Sequence, residues 1–243
     1  MIIDTHCHID LYNNPEKILS ECESKGISVI SMTNLPSHFE QGFPFFQKMA
    51  RCRIALGFHP LYAQNHKSEF NLFLKNIDKT SYIGEVGLDF SSEGINTKSI
   101  QLESFEMILQ AVTNKKKILS IHSRKAEKEI LELLKQYRIK NAIFHWYSGS
   151  VKLIDSIIES GYLFSINPKM IKSKNGMDII SKIPLDRLLT ESDGPFIQIN
   201  QKPIHPWDIK EVLTYISVTR QLSYIDVERQ VKNNFYNLIA RIK

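Results

Sequence analysis

Cysteine is scarce in this 243-residue chain, and the scarcity excludes one class of protein. Only Cys7, Cys22 and Cys52 occur, and no two of them form a Cys-x-x-Cys pair. An odd count without paired spacing is not the pattern of a disulfide framework, so we expect reduced thiols and a cytoplasmic location. Cys7 is expected to be a small buried apolar residue that points towards the surrounding helices.

Long apolar runs are missing as well. No stretch reaches the roughly 18 apolar residues that a membrane-spanning helix needs, and no basic segment precedes an apolar one at the start. We therefore expect no membrane partner and no signal peptide. The chain also lacks internal repeats, low-complexity tracts and linkers, so residues 1–243 are expected to form one domain.

The composition is that of an ordinary globular protein, with 42% hydrophobic and 23% charged residues. Its formal net charge of +5 mildly favours acidic partners such as nucleic acid. Short apolar segments of strand character alternate with amphipathic segments along the chain. The helical segments include 15–25, 99–114, 125–137, 151–160 and a closing helix at 223–242. The strand segments are 2–9, 27–33, 53–58, 81–86, 117–122, 141–145, 162–166 and 187–191.

Eight apolar strands that alternate with helices predict an α/β fold, a parallel (β/α)8 TIM barrel. A doubly wound open sheet is the main alternative. The count of eight, and the scatter of polar residues over many strand ends, favour the barrel.

The first strand carries two imidazoles two residues apart, His6 and His8. Side chains alternate across a strand, so both histidines share one face while Cys7 takes the other. Two parallel imidazoles suit a divalent metal better than a hydrophobic core.

Active sites of parallel barrels are built at the carboxyl ends of the strands. That rule gathers seven metal-competent residues at one rim, and their mixed imidazole and carboxylate donors suit Zn²⁺, Mn²⁺ or Mg²⁺. About six ligands exceed what one tetrahedral ion needs, so two divalent ions sharing a carboxylate are predicted. Two such ions promote hydrolysis, most naturally of a phosphodiester. The seven residues are His6, His8, Glu85, His122, His145, Glu191 and Asp193.

Seven short motifs follow one another between residues 4 and 195. They are Asp4-Thr-His6-Cys-His8, Gly57-Phe-His59-Pro60, Gly84-Glu85-Val-Gly87-Leu-Asp89-Phe90, Gln101-x-x-x-Phe105, Ile121-His122-Ser-Arg124-x-Ala126, Phe144-His145-Trp-Tyr-Ser148-Gly149 and Leu188-Leu-Thr-Glu191-Ser-Asp193-Gly-Pro195. Each alone is weak, but together they are specific. On these motifs the chain resembles the TatD family, metal-dependent deoxyribonucleases within the wider amidohydrolase-like barrels.

The resemblance implies a role for each matching position. One ion would be held by His6, His8 and Asp193, and Glu85 would bridge it to a second ion. That second ion would be bound by His122 and His145. Asp193 could also accept a proton from the attacking water, as a metal-bound carboxylate can. Glu191, two residues before Asp193, is expected to orient water or a ligand, so Asp193, Glu191 and Glu85 form the expected catalytic set.

Four further residues are candidate substrate contacts. His59 matches a family position that faces the substrate phosphate, although it could instead cap the loop before Pro60. Arg124 could reach a phosphate or be solvated. Trp146 and Tyr147 could stack on a base or serve ordinary packing.

Other charged residues are expected to lie away from the chemistry. The basic run at 115–117 precedes a strand, so it belongs to the opposite rim, and a solvated edge is our interpretation. His38 and His66 are expected to be structural or exposed. His205 could line the entrance to the site.

The chain departs from the family pattern near the site. Segment 91–95 is short and lacks arginine, Ser192 and Gly194 stand where Thr and Ala are common, and segment 197–206 lacks the usual Asn-x-Pro. None of these changes removes a metal ligand. Such trimmed loops resemble the QatD component of Qat anti-phage defence systems, which would make other defence subunits its partners.

The residues and the resemblance together predict a two-metal deoxyribonuclease that trims single-stranded DNA ends, in the 3′ to 5′ direction. A hydrolase of small esters, amides or lactones on the same barrel is one alternative. A subunit whose barrel mainly offers a docking surface to defence partners is another.

Overall fold

The computed structural model describes every residue from Met1 to Lys243. The α-helices are α1 (Pro15–Ser24), α2 (Pro36–Phe46), α3 (His66–Asn76), α4 (Lys98–Val112), α5 (Glu127–Gln136), α6 (Ile154–Glu159), α7 (Lys174–Lys182), α8 (Lys210–Arg220) and α9 (Tyr224–Ala240). The strands are β1 (Ile3–Cys7), β2 (Ser28–Ser31), β3 (Cys52–Ile54), β4 (Leu56–Phe58), β5 (Tyr82–Gly87), β6 (Ile118–His122), β7 (Ala142–His145), β8 (Leu163–Ile166), β9 (Leu188–Thr190), β10 (Gln198–Ile199) and β11 (Lys202–Pro203). None of the helices combines the length and apolar character needed to cross a bilayer.

Eight parallel strands close into the predicted (β/α)8 TIM barrel. β3 and β4 are halves of one barrel strand interrupted at Ala55, which the sequence pattern predicted as continuous. The first and last barrel strands meet through their threonines: Thr5 Oγ1 donates to the carbonyl of Thr190 at 3.1 Å, and Thr190 Oγ1 donates to that of Ile3 at 2.6 Å. This closure excludes the open sheet. A short antiparallel hairpin of β10 and β11 was not predicted.

The barrel interior is layered from bottom to top. Alternate residues of a strand point inward, so the inward face of β6 reads Ile118, Ser120, His122. Ile118 belongs to an apolar cluster with Ile143 and Leu163 from the next strands. Hydroxyl groups form the middle layer, and imidazoles follow at the carboxyl ends. The polar residues therefore rest on a dry apolar floor that does not depend on them.

Helix α9, predicted as a closing helix, closes the bottom of the barrel. Phe235 and Leu238 join the apolar cluster inside the barrel floor, whereas Val227 and Val231 pack in the larger core between strands and helices. The helix begins at Ser223, whose side chain accepts a hydrogen bond from the backbone of Asp226.

Gly57 lets two segments approach closely below the site. A Cβ atom at this position would lie 1.6 Å from the carbonyl oxygen of Thr33. The Thr33 hydroxyl also accepts a hydrogen bond from the Gly57 amide at 3.0 Å. Since Asn34 and His59 follow these two contacts in sequence, the close approach fixes the backbone that carries both side chains.

His66 holds the His59 segment from below. Its Nε2 donates to the carbonyl oxygen of His59 at 3.1 Å, and its ring packs on Phe58 with centroids 4.0 Å apart. Burial lowers the pKa of His66 from 6.5 to about 4. The ring is therefore a neutral structural residue, in agreement with the role expected from the sequence.

We predict that Gly57→Ala destabilises the barrel without touching a candidate ligand. The new methyl group meets backbone rather than a flexible side chain, so overpacking should cost about 1–3 kcal/mol or more. The midpoint of urea unfolding checks this, with Ser37→Ala on the surface-facing start of α2 as the control. If Gly57→Ala unfolds at the same urea concentration as the wild type, the Thr33 backbone moves aside for the methyl group at no cost in stability. That result would contradict the prediction.

We predict that His66 makes stability depend on pH between about 6.5 and 4. In this window the unfolded chain takes up a proton that the folded ring resists, so stability falls as the pH falls. At about 1.4 kcal/mol per pKa unit, the loss from pH 7 to pH 5 is about 2 kcal/mol. His66→Gln keeps a donor but does not titrate, so urea unfolding should show that much less pH dependence. Equal pH dependence in the two proteins would contradict a neutral His66.

Candidate metal centre

His6 and His8 lie side by side at the end of β1, as the sequence predicted. Their Nε2 atoms are 3.2 Å apart, and both side chains are completely buried. A register shift between Asp4 and Cys7 in the pairing with β2 lets Ile3 join the apolar floor while His6 faces the site. His6 Nδ1 is held by the hydroxyl of Ser120 at 2.8 Å, which leaves Nε2 directed into the centre.

Asp193 completes one half of the centre. Its Oδ1 lies 3.6 Å from His6 Nε2 and 3.8 Å from His8 Nε2. The backbone fixes this arrangement, because the Asp193 amide donates to the carbonyl of His6 at 2.9 Å. Ligand atoms of His6, His8 and Asp193 all lie within 4.8 Å of one another.

Glu85 stands between two groups of imidazoles. Its Oε2 lies 3.3 Å from His6 Nε2 and 3.1 Å from His8 Nε2. Its Oε1 lies 2.6 Å from His122 Nδ1 and 2.8 Å from His145 Nε2. The two oxygens of one carboxylate therefore face two different sets of ligand atoms.

His59 adds a third imidazole on the Oε1 side. Its Nε2 is 3.4 Å from Glu85 Oε1, while its Nδ1 accepts a hydrogen bond from the Leu61 amide at 3.1 Å. Both roles considered from the sequence, facing the site and capping the loop, occur together. His59, Glu85 and His122 form a further group of ligand atoms within 4.8 Å.

The electrostatics suit a bound cation. Burial, together with the charge on His145, lowers the pKa of His6 well below its usual range, so His6 is neutral and its lone pair is free. Burial alone would raise the pKa of Glu85, but the imidazoles of His59, His145 and His6 hold it well below the usual range. The pair of Glu85 and His6 thus combines an ionised carboxylate with an unprotonated nitrogen.

The crowding of nitrogen lone pairs supports the same conclusion. The Nε2 atoms of His6 and His8 lie 3.2 Å apart, and both face Glu85 Oε2, at 3.3 and 3.1 Å. Two lone pairs and a carboxylate oxygen therefore converge in one buried place. Divalent cations accept such lone pairs, so the residues present fit one or more metal ions.

Glu191, which we expected to orient water or a ligand, is not among the residues that line the cavity. It is completely buried, and its Oε1 accepts from the Trp146 amide at 3.0 Å and from Asn167 Nδ2 at 2.9 Å. Its Oε2 accepts from the Ser165 hydroxyl. With Oε1 3.7 Å from His145 Nδ1, Glu191 positions that imidazole rather than contacting substrate.

Tyr147 is also placed away from the cavity. Its side chain is 1% exposed and packs against Phe144 and Phe164, and its hydroxyl donates to the carbonyl of Ser150 at 2.8 Å. It is therefore a core residue and not a candidate substrate contact. Its neighbour Trp146 does line the cavity.

The cavity above the centre has a volume of about 570 Å³. Arg124 lies on its rim, where the side chain is 49% exposed and contacts Glu93 Oε2 at 3.1 Å. Phe196, 56% exposed, stands on the opposite side with its ring edge against His8. Glu93 belongs to the short 91–95 segment, so the departure from the family pattern lies at the mouth of the cavity.

Asp89 is a functional residue to which sequence reasoning assigned no role. Its Oδ2 lies 2.8 Å from His122 Nε2, and its amide donates to Gln101 Oε1 at 2.8 Å. Burial opposes the shift, but the contacts with His122 and Ser91 lower the pKa of Asp89 to about 2. The ionised carboxylate orients His122, and its place in the Gly87-Leu-Asp89 motif was the available signal.

Asp4 is a second residue to which sequence reasoning assigned no role. Its Oδ1 accepts from the amides of His6 and Ser192 at 3.1 and 3.0 Å, and its Oδ2 accepts from the Ser192 hydroxyl at 2.5 Å. Burial raises the pKa of Asp4 to about 8. It ties the strand that carries His6 to the segment that carries Asp193, and Ser192 supplies the hydroxyl that Thr would supply.

Asn34 was missed for want of any signal in the sequence, and Gly194 was noted only as a departure from the family pattern. Asn34 lines the cavity with its Oδ1 unpartnered, and its carbonyl accepts from the His59 amide at 2.8 Å. A Cβ at Gly194 would lie 2.4 Å from the carbonyl oxygen of Ile204. The alanine common in the family would therefore clash with the 197–206 segment as it runs here.

We predict that Glu191→Gln weakens metal binding about 10–100-fold, since partners that orient a metal-binding His typically have effects of this size. Calorimetric titration with Zn²⁺ measures it. Glu103→Gln, on the exposed face of α4, is the matched control and should bind Zn²⁺ like the wild type. If both variants bind alike, Glu191 does not position His145 for a cation.

Comparison with known proteins agrees with this geometry. A family model described as "TatD related DNase" matches residues 3–240. The human protein named deoxyribonuclease TATDN3 is 23% identical, and the alignment covers 100% of this chain and 96% of that protein. A Buchnera aphidicola protein, named an uncharacterized metal-dependent hydrolase, is 27% identical over 98% of each chain.

Solved structures show the same fold. The TatD homologue YJJV from Escherichia coli superimposes with a TM-score of 0.88 at 22% identity, covering 98% of this chain and 97% of that one. A Saccharomyces cerevisiae protein described as an amidohydrolase gives a TM-score of 0.80 at 11% identity, covering 98% and 99%. The family match spans nearly the whole chain and includes every candidate ligand, and the chain belongs to the TatD-related DNase family.

Proposed function

We propose that this protein hydrolyses DNA phosphodiester bonds with two divalent ions, Mg²⁺, Mn²⁺ or Zn²⁺. It is a TatD-family metal-dependent hydrolase, and the finer statement rests on one observation. The carboxylate of Glu85 directs Oε2 towards His6 and His8 and Oε1 towards His122 and His145. A carboxylate with its oxygens turned to separate ligand sets is suited to bridge two ions.

The candidate ligands form two sets, one on each side of the Glu85 carboxylate. His6, His8 and Asp193 would hold one ion, and His122 and His145, with His59 beside them, would hold the other. When bound, such ions activate water near neutral pH and stabilise the charge that develops on a phosphate. Hydrolysis is supported by the family to which the chain belongs, and mixed imidazole and carboxylate donors suit the divalent ions named above.

The protein's own groups would position the substrate and move one proton. Asp193, whose Oδ1 lies 3.6 Å from His6 Nε2, would accept a proton from the attacking water. Asp4 and Asp89 keep the flanking ligands in place. Both oxygens of Glu85 face imidazoles, so Asp193 is the better proton acceptor of the two.

The cavity supports binding of a DNA end. A volume of about 570 Å³ falls in the range of about 300–1,000 Å³ typical of small-ligand sites, which suits a terminal nucleotide better than a continuous duplex. Trp146 and Phe196 offer faces on which a base could stack. Arg124 and His59 would contact phosphate. We propose a single-strand exonuclease on the basis of this cavity, and a 3′ to 5′ direction on the basis of the family resemblance alone.

The cellular setting is part of the proposal. The three cysteines are buried free thiols, which supports a reducing compartment such as the cytoplasm. A role in anti-phage defence beside other defence subunits is supported only by the short 91–95 segment at the cavity mouth.

We predict that Asp193→Asn lowers DNA hydrolysis at least about 100-fold, because a missing proton acceptor costs about 10²–10⁴ in rate. The protein should stay folded, because the apolar floor of the barrel does not include Asp193. End-labelled single-stranded and duplex oligonucleotides, digested with each metal in turn, measure the rate and the direction. Asp178→Asn on exposed α7 is the control, and chelation of the metal should stop cleavage by the wild type.

Three results would contradict the proposal. Uncut DNA across all metals, together with turnover of small esters, amides or lactones, would identify the other hydrolase class. Full biological activity in Glu85→Ala and Asp193→Ala would identify a docking subunit. Unfolding of Asp193→Asn would show that this carboxylate is needed for the fold rather than for catalysis.

A further inference from the structure

Two further cavities lie at the end of the barrel opposite the metal centre. They have volumes of about 720 and 280 Å³ and adjoin each other. Both are lined by the same five residues, and together they form what we call the basal groove. The shared residues are Arg138, Ile139, Lys140, Asn141 and Arg241.

The basal groove is strongly cationic. Seven cationic side chains line it against one carboxylate, Glu159. The formal charge of the whole chain is only +5, so the groove holds more net positive charge than the protein as a whole. The seven side chains are Lys115, Lys116, Lys117, Lys135, Arg138, Lys140 and Arg241.

Few of these charges are neutralised within the protein. Lys135, Arg138 and Lys140 are exposed, and none of the three forms an ion pair. Arg241 donates to the carbonyl of Gly161 at 3.2 Å, which leaves its charge without a carboxylate. Lys115 and Lys117 are the exceptions, because their Nζ atoms lie 2.8 and 3.8 Å from Asp78 Oδ1 outside the groove, and Lys116 donates to the carbonyl oxygen of Lys243. Clustered cations without acidic partners repel one another, so a bound anion would relieve them.

Loops that precede neighbouring strands bring these charges together. Lys117 comes directly before β6, and Lys140 stands two residues before β7. Asn141 joins the two loops, since its Nδ2 donates to the carbonyl of Lys117 at 3.3 Å while its Oδ1 is buried without a partner. The parallel barrel thus fixes the spacing of cations that are far apart in sequence.

We propose that the basal groove binds the phosphate backbone of DNA. The choice of nucleic acid over other polyanions rests on the proposed nuclease function. Arg and Lys side chains recognise phosphate oxygens without reading sequence. Tyr162 is the only aromatic residue of the lining and its ring is buried, so bases have no stacking surface there. Binding is therefore electrostatic and independent of sequence.

The groove and the metal centre are separate sites. Strand β6 alone spans about 13 Å between Ile118 and His122, at about 3.3 Å per residue. A DNA that reaches both sites must run along the outside of the barrel. A 20-base-pair duplex is long enough, at about 68 Å for 3.4 Å per base pair, whereas a dinucleotide is not.

The test compares two proteins with the same charge change. Arg138→Glu/Lys140→Glu reverses two groove charges. Lys48→Glu/Lys67→Glu reverses two exposed lysines that lie outside the basal groove and outside the metal cavity. Binding of a fluorescein-labelled 20-base-pair duplex is followed by anisotropy in EDTA across a sodium chloride series. Without metal no cleavage occurs, so the result does not depend on the proposed hydrolysis.

The groove variant should raise the Kd about tenfold and lower the slope of log K against log salt by about two, at about 0.9 per phosphate contact. The control should change the Kd by no more than about twofold, because salt screens the interaction between its two substituted residues and a duplex bound at the groove. Turnover of bis(4-nitrophenyl) phosphate with metal should be unchanged in the groove variant, because this small substrate cannot span the barrel.

Equal weakening in both variants would reduce the effect to net charge and overturn the proposal. Unchanged binding in the groove variant would overturn it too. If the groove variant loses binding to poly-glutamate but not to the duplex, the groove serves an acidic protein instead. If the protein binds the duplex through the basal groove but cleaves no DNA, the nuclease function is refuted. The proposed binding of DNA by the groove is then retained.

Discussion

The structure depends on one constraint: the negative charge of a buried carboxylate, that of Glu85, must be balanced by imidazoles on both of its sides. Glu85 is 3% exposed and ionised, and an ionised group without solvent must be paired or it is strongly destabilising. Imidazoles from four other barrel segments supply that compensation. Strands on all sides of the barrel must therefore hold their register for the centre to exist, and the closed parallel sheet provides the required rigidity.

A shell of further carboxylates surrounds the ligands and explains why the imidazoles keep their orientation. Asp89 holds His122, Glu191 lies behind His145, and Asp4 connects the strand of His6 to the segment of Asp193. None of the three needs to touch a substrate to matter. Because each is buried and hydrogen-bonded, a change in any of them would leave a neighbouring polar group unpaired as well.

The two ends of the barrel differ in chemistry because the strands are parallel. Every strand delivers its carboxyl end to the same rim, where acidic and imidazole groups collect above hydroxyl and apolar layers. The amino ends meet at the opposite rim, where short loops bring lysines and arginines together. One rim is thus suited to cations and the other to anions, and the apolar floor keeps the two apart.

The sequence by itself determined the barrel, its eight strands and the set of candidate ligands. Alternation along a strand placed His6 and His8 on one face, and the rule that barrel sites form at strand ends selected Glu85, His122, His145 and Asp193. Local pattern carries this information because a side chain's face depends only on its position along its own strand. The same reasoning could not recognise the break at Ala55 or the register shift after Asp4, which depend on the neighbouring strand.

Only the tertiary structure decided which side chains meet. Tyr147 and Trp146 are adjacent in sequence, yet one packs in the core and the other lines the cavity, because the chain turns between them. Glu191 lies two residues from Asp193 but is enclosed by Ser165 and Asn167 from the next strand. The basal groove joins residues from segments 112–119, 135–141 and 159–162 with Arg241. Burial and charge compensation are set by neighbours that are distant in the chain, so no local pattern contains them.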